Sequence, residues 1–189
     1  MTDLAVLKRS VAEAADDAGL LDIAYASYDG PVGKLLLAAT RRGLVKVSFD
    51  IEDPDATLAS LARDVSPRIL ERPARLDDAR RELDEYFAGR RRRFDLQLDW
   101  RLAGGFRRRV LRATARIPFG GTATYGEVAA AAGSPRAHRA AGTALGANPL
   151  PIVVPCHRVL RTGGSLGGYG GGLEMKETLL RIEGTLPRP

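Results

Sequence analysis

Apolar and polar positions recur with definite periods along most of the chain. Leu4, Leu7, Val11 and Ala14 fall at helical spacing and predict a short amphipathic helix over residues 3–19, whose acids and alanines would also suit a loosely attached arm. Three strand-like runs follow, Ile23 to Tyr28, Lys34 to Ala39 and Leu44 to Phe49, with Gly30-Pro31 and Arg42-Gly43 as the turns between them. They predict a small antiparallel meander. Asp53-Pro54 opens a predicted helix through about Arg63, with proline in the tolerated first turn. Leu76, Ala79, Leu83 and Phe87 share one face of a second helix, from about Leu76 to Ala88, which Gly89 stops. Phe94 to Leu98 alternates as a further strand. Residues 22–99 therefore read as a small α+β unit.

From about Gly104 the pattern changes to helices and glycine-rich loops. Phe106, Val110, Leu111 and Ile117 form a helical stripe that ends at Pro118. Tyr125 to Ala132 reads as a short helix broken by Gly133. Ser134-Pro135 predicts a restart, with serine as N-cap and proline at the first helical position, and the new helix runs to about Leu145. Helix, tight glycine turn, helix is the outline of a helix-turn-helix, and the spacing alone fits an ordinary helical hairpin equally well. The second helix has small residues at Ala137, Ala140, Ala141, Gly142, Thr143 and Ala144, with Arg136 and Arg139 projecting. Such a surface suits close approach to a groove, or tight internal packing.

Length and charge narrow the function. At 189 residues the chain makes one large domain or two small ones. No apolar run approaches the ~20 residues of a membrane span, and the first 19 residues lack the apolar stretch of a signal peptide. A single cysteine argues against a disulfide scaffold or a multi-cysteine zinc site, and only two histidines, His138 and His157, argue against a His-rich metal site. The expected setting is a reducing one, the cytoplasm. Net charge is +6, but residues 101–189 hold 13 Lys and Arg against 4 Asp and Glu, and residues 1–100 carry the acidic excess. The basic half points to a polyanion, most simply nucleic acid. The Arg90–Arg93 run reads as a solvated turn.

That basic half also holds the one thiol. Cys156 lies in Pro155-Cys156-His157-Arg158, directly after Pro151-Ile152-Val153-Val154. Cysteine beside histidine and arginine suggests a thiol placed for chemistry, because the thiolate is the reactive form and adjacent positive charge lowers its pKa toward neutrality. A buried structural cysteine is the other reading of the same residue.

The ordered set Tyr125, Arg139-Ala140-Ala141-Gly142, Asn148-Pro149, Pro155-Cys156-His157-Arg158-Val159, Gly167-Gly168-Tyr169-Gly170-Gly171-Gly172-Leu173 and Glu183-Gly184 resembles the O6-alkylguanine-DNA alkyltransferases. The strong resemblance covers roughly residues 104–184. It implies a ribonuclease-H-like N-terminal domain over 22–100 after an extension at 1–21. A mostly helical, winged-helix-like DNA-binding and methyltransferase domain over 101–189 follows. It implies direct-reversal repair of duplex DNA containing O6-alkylguanine, with O4-alkylthymine as a second candidate lesion, by a cofactor-free, metal-free monomer that acts once. Cooperative loading along DNA stays open.

The resemblance also implies roles. Cys156 is the nucleophile, His157 its base acting through a water, and Glu183 the group that orients His157. Asn148 braces the turn into the active-site segment, and Tyr125 helps rotate the nucleotide and donates to the base. Arg139 fills the vacated stack, with Arg136, Ala137 and Gly142 on the same DNA-binding helix. Pro151, Val159, Tyr169, Gly170 and Gly171 shape the pocket. Taken without the resemblance, Glu183 fits a helix-end surface acid, His157 a core histidine and Tyr169 a packing residue; Arg158 fits either thiolate support or a structural ion pair. The chain departs from the family pattern at Arg107 and Leu111, at His138 beside Arg139, and at Gly170, where some relatives carry serine. A damage-binding protein without catalysis would lack the cysteine that is present here, and a Cys-His hydrolase would leave the basic half unused.

Overall fold

Strands β1 (Ile23–Gly30), β2 (Gly33–Thr40) and β3 (Gly43–Phe49) form the meander that the alternation predicts, with Ala26 opposite Leu37 and Leu37 opposite Val47. The computed structural model that shows this describes residues 4–49 and 53–186. The helix predicted over 3–19 is α1 (Leu4–Asp17), and residue 3 lies outside the described residues. The chain forms two compact units. One runs up to Asp84 and includes Leu96–Leu102; the other comprises Glu85–Asp95 and the chain from Ala103.

In the first unit the sheet order is β3-β2-β1-β4, where the short β4 (Ile69–Glu71) lies parallel to β1. The sheet is thus mixed rather than purely antiparallel. Three residues are too few to show an alternation, so β4 has no sequence signature. Helix α2 (Pro54–Asp64) starts as expected, its N-cap Asp53 accepting from the Asp55 N–H. Leu61 of α2 packs with Ile23, Ala38 and Val45 in the core.

The apolar stripe of α1 does not dock: Leu4, Leu7 and Val11 are more than half exposed. The helix is held instead by buried Ala12 and by Glu13 and Asp16, which pair with Arg72 and Arg75 at 3.3–3.7 Å. Phe94–Leu98 is not a strand. Only Leu98 makes a bridge, to Leu44, where the Leu44 N–H donates to Gln97 O at 2.8 Å. Gly43 permits that approach: at φ +127° it has no Cβ, and one would lie 2.1 Å from Gln97 O. The alternation is split between the units, since Phe94 packs on Tyr86 in the other one.

Helix α3 (Asp77–Phe87) follows a 3-10 turn at Pro73–Leu76, and its last residues, from Glu85, belong to the second unit. Gly89 ends it at φ +72°, with the Arg90 N–H returning to Glu85 O.

The rest of the second unit is helical. Helix α4 (Gly105–Thr114) buries Val110, Leu111 and Thr114 but stops before Ile117, which lies beyond it in a turn. Helix α5 (Tyr125–Ala131) ends in a turn at Gly133 (φ +79°), with Ser134 N bonded to Ala129 O. Helix α6 is His138–Gly146, starting three residues later than Pro135 predicts. Ser134-Pro135-Arg136-Ala137 closes as a turn, Ala137 N donating to Ser134 O at 2.9 Å. Proline's fixed φ serves a turn as readily as a helix start. Helix α7 (Leu173–Ile182) completes the chain.

Candidate active site

A two-stranded parallel pairing brings the chemistry together. β5 (Ala123–Thr124) lies beside β6 (Val159–Leu160), Ala123 opposite Val159 and Thr124 opposite Leu160. Tyr125 is the first residue of α5 after β5, and Cys156 sits in the 3-10 turn Cys156–Arg158 just before β6. Thr124 and Glu127 form a reciprocal capping box, which sets the direction of α5 and hence the Tyr125 side chain.

The segment before the cysteine is a knot of tight turns rather than an extended run. Val153 N donates to Pro151 O at 2.9 Å around Ile152, which has φ +71°. A buried β-branched residue in this region is strained, and strain of this kind collects at functional sites. Val154 N then reaches Leu150 O, and Cys156 N reaches Val154 O, both at 2.8 Å. Asn148 ties the segment down from α6's end. Its Oδ1 accepts from Leu150 N at 3.0 Å, and its Nδ2 donates to Val154 O at 2.9 Å and to Cys156 Sγ at 3.2 Å.

Behind the thiol lies a buried ionic cluster. His157 Nε2 and Glu183 Oε1 are 2.8 Å apart, and Arg158 donates to both Glu183 oxygens, Nε to Oε2 at 2.8 Å and Nη2 to Oε1 at 2.9 Å. Arg158 also donates to Ile117 O at 2.5 Å. Burial alone would raise the Glu183 pKa, but hydrogen bonds and charge from His157 and Arg158 outweigh it and bring the group down to about 2. Burial lowers the His157 pKa, aided by Arg158 and Lys176 and opposed by Glu183. The imidazole is therefore neutral beside an ionised carboxylate. With Nε2–H donated to Glu183, Nδ1 carries the free lone pair; it is buried and has no protein hydrogen-bond partner among the described residues.

The thiol itself corrects an expectation. Its pKa is raised: burial outweighs the lowering by the Asn148 hydrogen bond and by Lys176. Arg158 does not hold the thiolate, because its guanidinium is committed to Glu183 and Ile117.

Cys156, Tyr125, Tyr169 and Gly170 line an open cavity of about 1000 Å³, and Arg139 and Gly142 of α6 are also in its lining. Arg136 is exposed and Ala137 half-buried before α6, and neither lines it. Pro151 and Val159 are buried and Gly171 is half-buried, and none of the three lines the cavity that they were expected to shape. Burial keeps the Tyr125 and Tyr169 phenols protonated, their pKa values being raised.

His138, marked in the sequence beside Arg139, lines the cavity, and so does Arg161, one of several contributors missed from sequence. Lys176 is fully buried; its Nζ donates to Val159 O at 2.7 Å and to Leu166 O, and burial lowers its pKa to about 8. Its spacing from Leu179 and Leu180 on α7 was the available signal. Tyr86 donates to Glu183 Oε1 at 2.7 Å. Among the described residues no group of three or more His, Cys, Asp or Glu could hold a metal, and no helix is long and apolar enough to cross a membrane.

A cysteine beside a neutral histidine and an ionised acid, at a cavity lined in part by the α5–α6 helix pair, is the arrangement of a thiol-based active site. Comparison with known proteins gives the family. The 6-O-methylguanine DNA methyltransferase family matches over both parts, its ribonuclease-like domain at residues 23–100 and its DNA-binding domain at 105–185. The methylated-DNA–protein-cysteine methyltransferase of Methanosarcina acetivorans is 40% identical over 85% of this chain and 98% of its own. That of Mycolicibacterium paratuberculosis is 44% identical over 85% and 92%. The Mycobacterium tuberculosis OGT crystallised in complex with DNA superposes with a TM-score of 0.73 at 37% identity, over 85% of this chain and 92% of its own. The chain belongs to the 6-O-methylguanine DNA methyltransferase family.

Proposed function

We propose that the chain performs its family's direct-reversal repair by moving one alkyl group from guanine O6 in duplex DNA to Sγ of Cys156, once per molecule. The observation that carries this is that Cys156 lines the cavity and is followed in the same turn by His157, whose Nε2 lies 2.8 Å from Glu183 Oε1. His157 Nδ1 takes the thiol proton through an intervening water, and the thiolate attacks the alkyl carbon. The carbon–O6 bond breaks and its electron pair goes to the purine, which takes a proton from the Tyr125 phenol. Asn148 Nδ2 stabilises the developing thiolate. The product thioether is a poor leaving group, so the thiol is not regenerated.

A base inside a stacked duplex cannot reach Cys156, so the nucleotide must be rotated out. The exposed face of α6, with His138, Arg139, Ala140 and Thr143, approaches the minor groove, and Arg139 takes the vacated place in the stack. The protein acts as a monomer, and no cofactor or metal enters any step. The test is intact mass after mixing with duplex DNA containing O6-methylguanine. A gain of one CH2, mapped to Cys156 and saturating at one per chain, is expected. Tight binding without a mass gain would leave a damage-recognition protein instead.

A further inference from the structure

Five donors surround the Glu183 carboxylate. Oε2 accepts from Arg158 Nε at 2.8 Å and, more loosely, from Gly120 N at 3.4 Å. Oε1 accepts from Arg158 Nη2 at 2.9 Å, His157 Nε2 at 2.8 Å and the Tyr86 hydroxyl at 2.7 Å. His157 and Arg158 adjoin the reactive cysteine in sequence. Tyr86 does not: it comes from the last turn of α3, 97 residues before Glu183. It lies within the stretch matched by the ribonuclease-like domain, yet it folds with the second unit.

Tyr86 is completely buried, and its ring is wedged among Phe87 and Phe94, both at 5.3 Å, and Phe119 at 6.1 Å. Packing of this kind allows the ring little movement, so the hydroxyl is aimed at one acceptor. A carboxylate oxygen has two in-plane lone-pair directions, and three donors share Oε1. Electron density given to the Tyr86 proton is withheld from His157. We propose that Tyr86 is a positioning residue for alkyl transfer: its hydroxyl fixes Glu183 Oε1 opposite His157 Nε2 and limits how strongly the carboxylate raises the basicity of the imidazole. The proposal rests on the reading of Cys156 as acceptor and His157 as its base. The other groups facing this pair are Arg158 and Lys176, which oppose imidazole protonation, and the edge-on Tyr169 ring, 6.4 Å from His157.

The test is the single-turnover rate of transfer from O6-methylguanine duplex to the full chain, measured against pH. In Tyr86→Phe the ring packing survives and only the donor is lost. The rate at neutral pH falls about tenfold, the order expected for losing a hydrogen bond to a charged group. The acid limb moves to higher pH, because Oε1 becomes a stronger acceptor and the imidazole holds its proton more tightly. Binding to the same duplex does not change. In a Glu183→Gln background, Tyr86→Phe has no further effect on rate. 3-Fluorotyrosine at position 86, a stronger donor, moves the acid limb the opposite way, and it serves where a variant does not fold. An equal loss in both backgrounds, or an unmoved acid limb with either replacement, overturns the proposal. A wild-type chain that takes up no alkyl group refutes the underlying reading instead.

Discussion

Asn148 Nδ2 lies 3.2 Å from Cys156 Sγ while the same nitrogen holds Val154 O at 2.9 Å. One side chain therefore shapes the turn into the active site and supplies a donor to the sulfur. It is also the largest influence lowering a thiol pKa that burial raises.

Asn148→Asp keeps the volume of the side chain but removes both donated hydrogen bonds, to Val154 O and to the sulfur. A carboxylate of the same shape still accepts from Leu150 N, but it has no N–H for the sulfur and places negative charge against the thiolate. The thiol pKa rises further and transfer slows by at least about tenfold, on the scale of about 1.5–3 kcal/mol for a hydrogen bond to a charged group. Thiol titration by absorbance and a single-turnover assay check this. An Asn148→Asp chain as fast as wild type removes Asn148 from the chemistry.

Much of this site is legible in the chain because its parts are contiguous. Cys156, His157 and Arg158 occupy one turn, and the α5–α6 pair is announced by Gly133 and Pro135. Glu183 needed the family resemblance, since nothing in a helix-end acid shows that His157 and Arg158 fold onto it. Tyr86 and Lys176 were illegible as polar groups. Their periodicity marks them as core, but their acceptors are set only by tertiary contact across 97 residues for Tyr86, and by loop carbonyls for Lys176. The thiol pKa failed for a related reason: adjacent arginine in sequence became arginine committed to Glu183 in space.

The buried cluster makes stability depend on pH with a definite sign. The folded pKa of His157 is lowered from 6.5, so its contribution is present above pH 6.5 and is lost as pH falls below that value. Glu183 is lowered from 4.5 to about 2, so its contribution is present above pH 4.5 and is lost between there and pH 2. Urea midpoints should decline as pH falls through the range just below 6.5, and again below pH 4.5. His157→Gln should flatten the first step and shrink the second, because His157 helps to hold the Glu183 pKa down. Glu183→Gln leaves Arg158 buried without its partner and costs about 3–5 kcal/mol. An unchanged midpoint in Glu183→Gln contradicts the cluster's role.

Arg139 is exposed on α6 and lines the cavity. The stack-filling task proposed for it exists only when a base must leave a duplex, and base flipping costs a few kcal/mol. Arg139→Ala should therefore slow repair of duplex O6-methylguanine by about ten- to a hundredfold, while reaction with a free O6-alkylguanine base stays close to wild type. Equal losses on both substrates rule out the stack-filling role. The duplex affinity of both proteins should fall steeply with salt as phosphate contacts lose their counterion-release advantage.

Two glycines of one loop should respond in opposite ways. A Cβ at Gly167 would lie 2.8 Å from the Tyr125 hydroxyl and 3.4 Å from Arg161 Cγ, and Gly167 has φ +65°. Gly167→Ala therefore strains the backbone and displaces the Tyr125 hydroxyl, which, if Tyr125 is the donor proposed above, slows transfer of every alkyl group alike. At Gly170, which lines the cavity, an added Cβ meets nothing within 4 Å. Gly170→Ala is tolerated, and Gly170→Leu fills free space at the mouth, leaving methyl transfer intact and slowing a benzyl-sized group. The check is a ratio of single-turnover rates for methyl and benzyl lesions in the three variants. A ratio unchanged in Gly170→Leu moves the size filter elsewhere in the cavity. A Gly167→Ala chain with wild-type rates shows that Tyr125 tolerates displacement and does not serve as the proton donor.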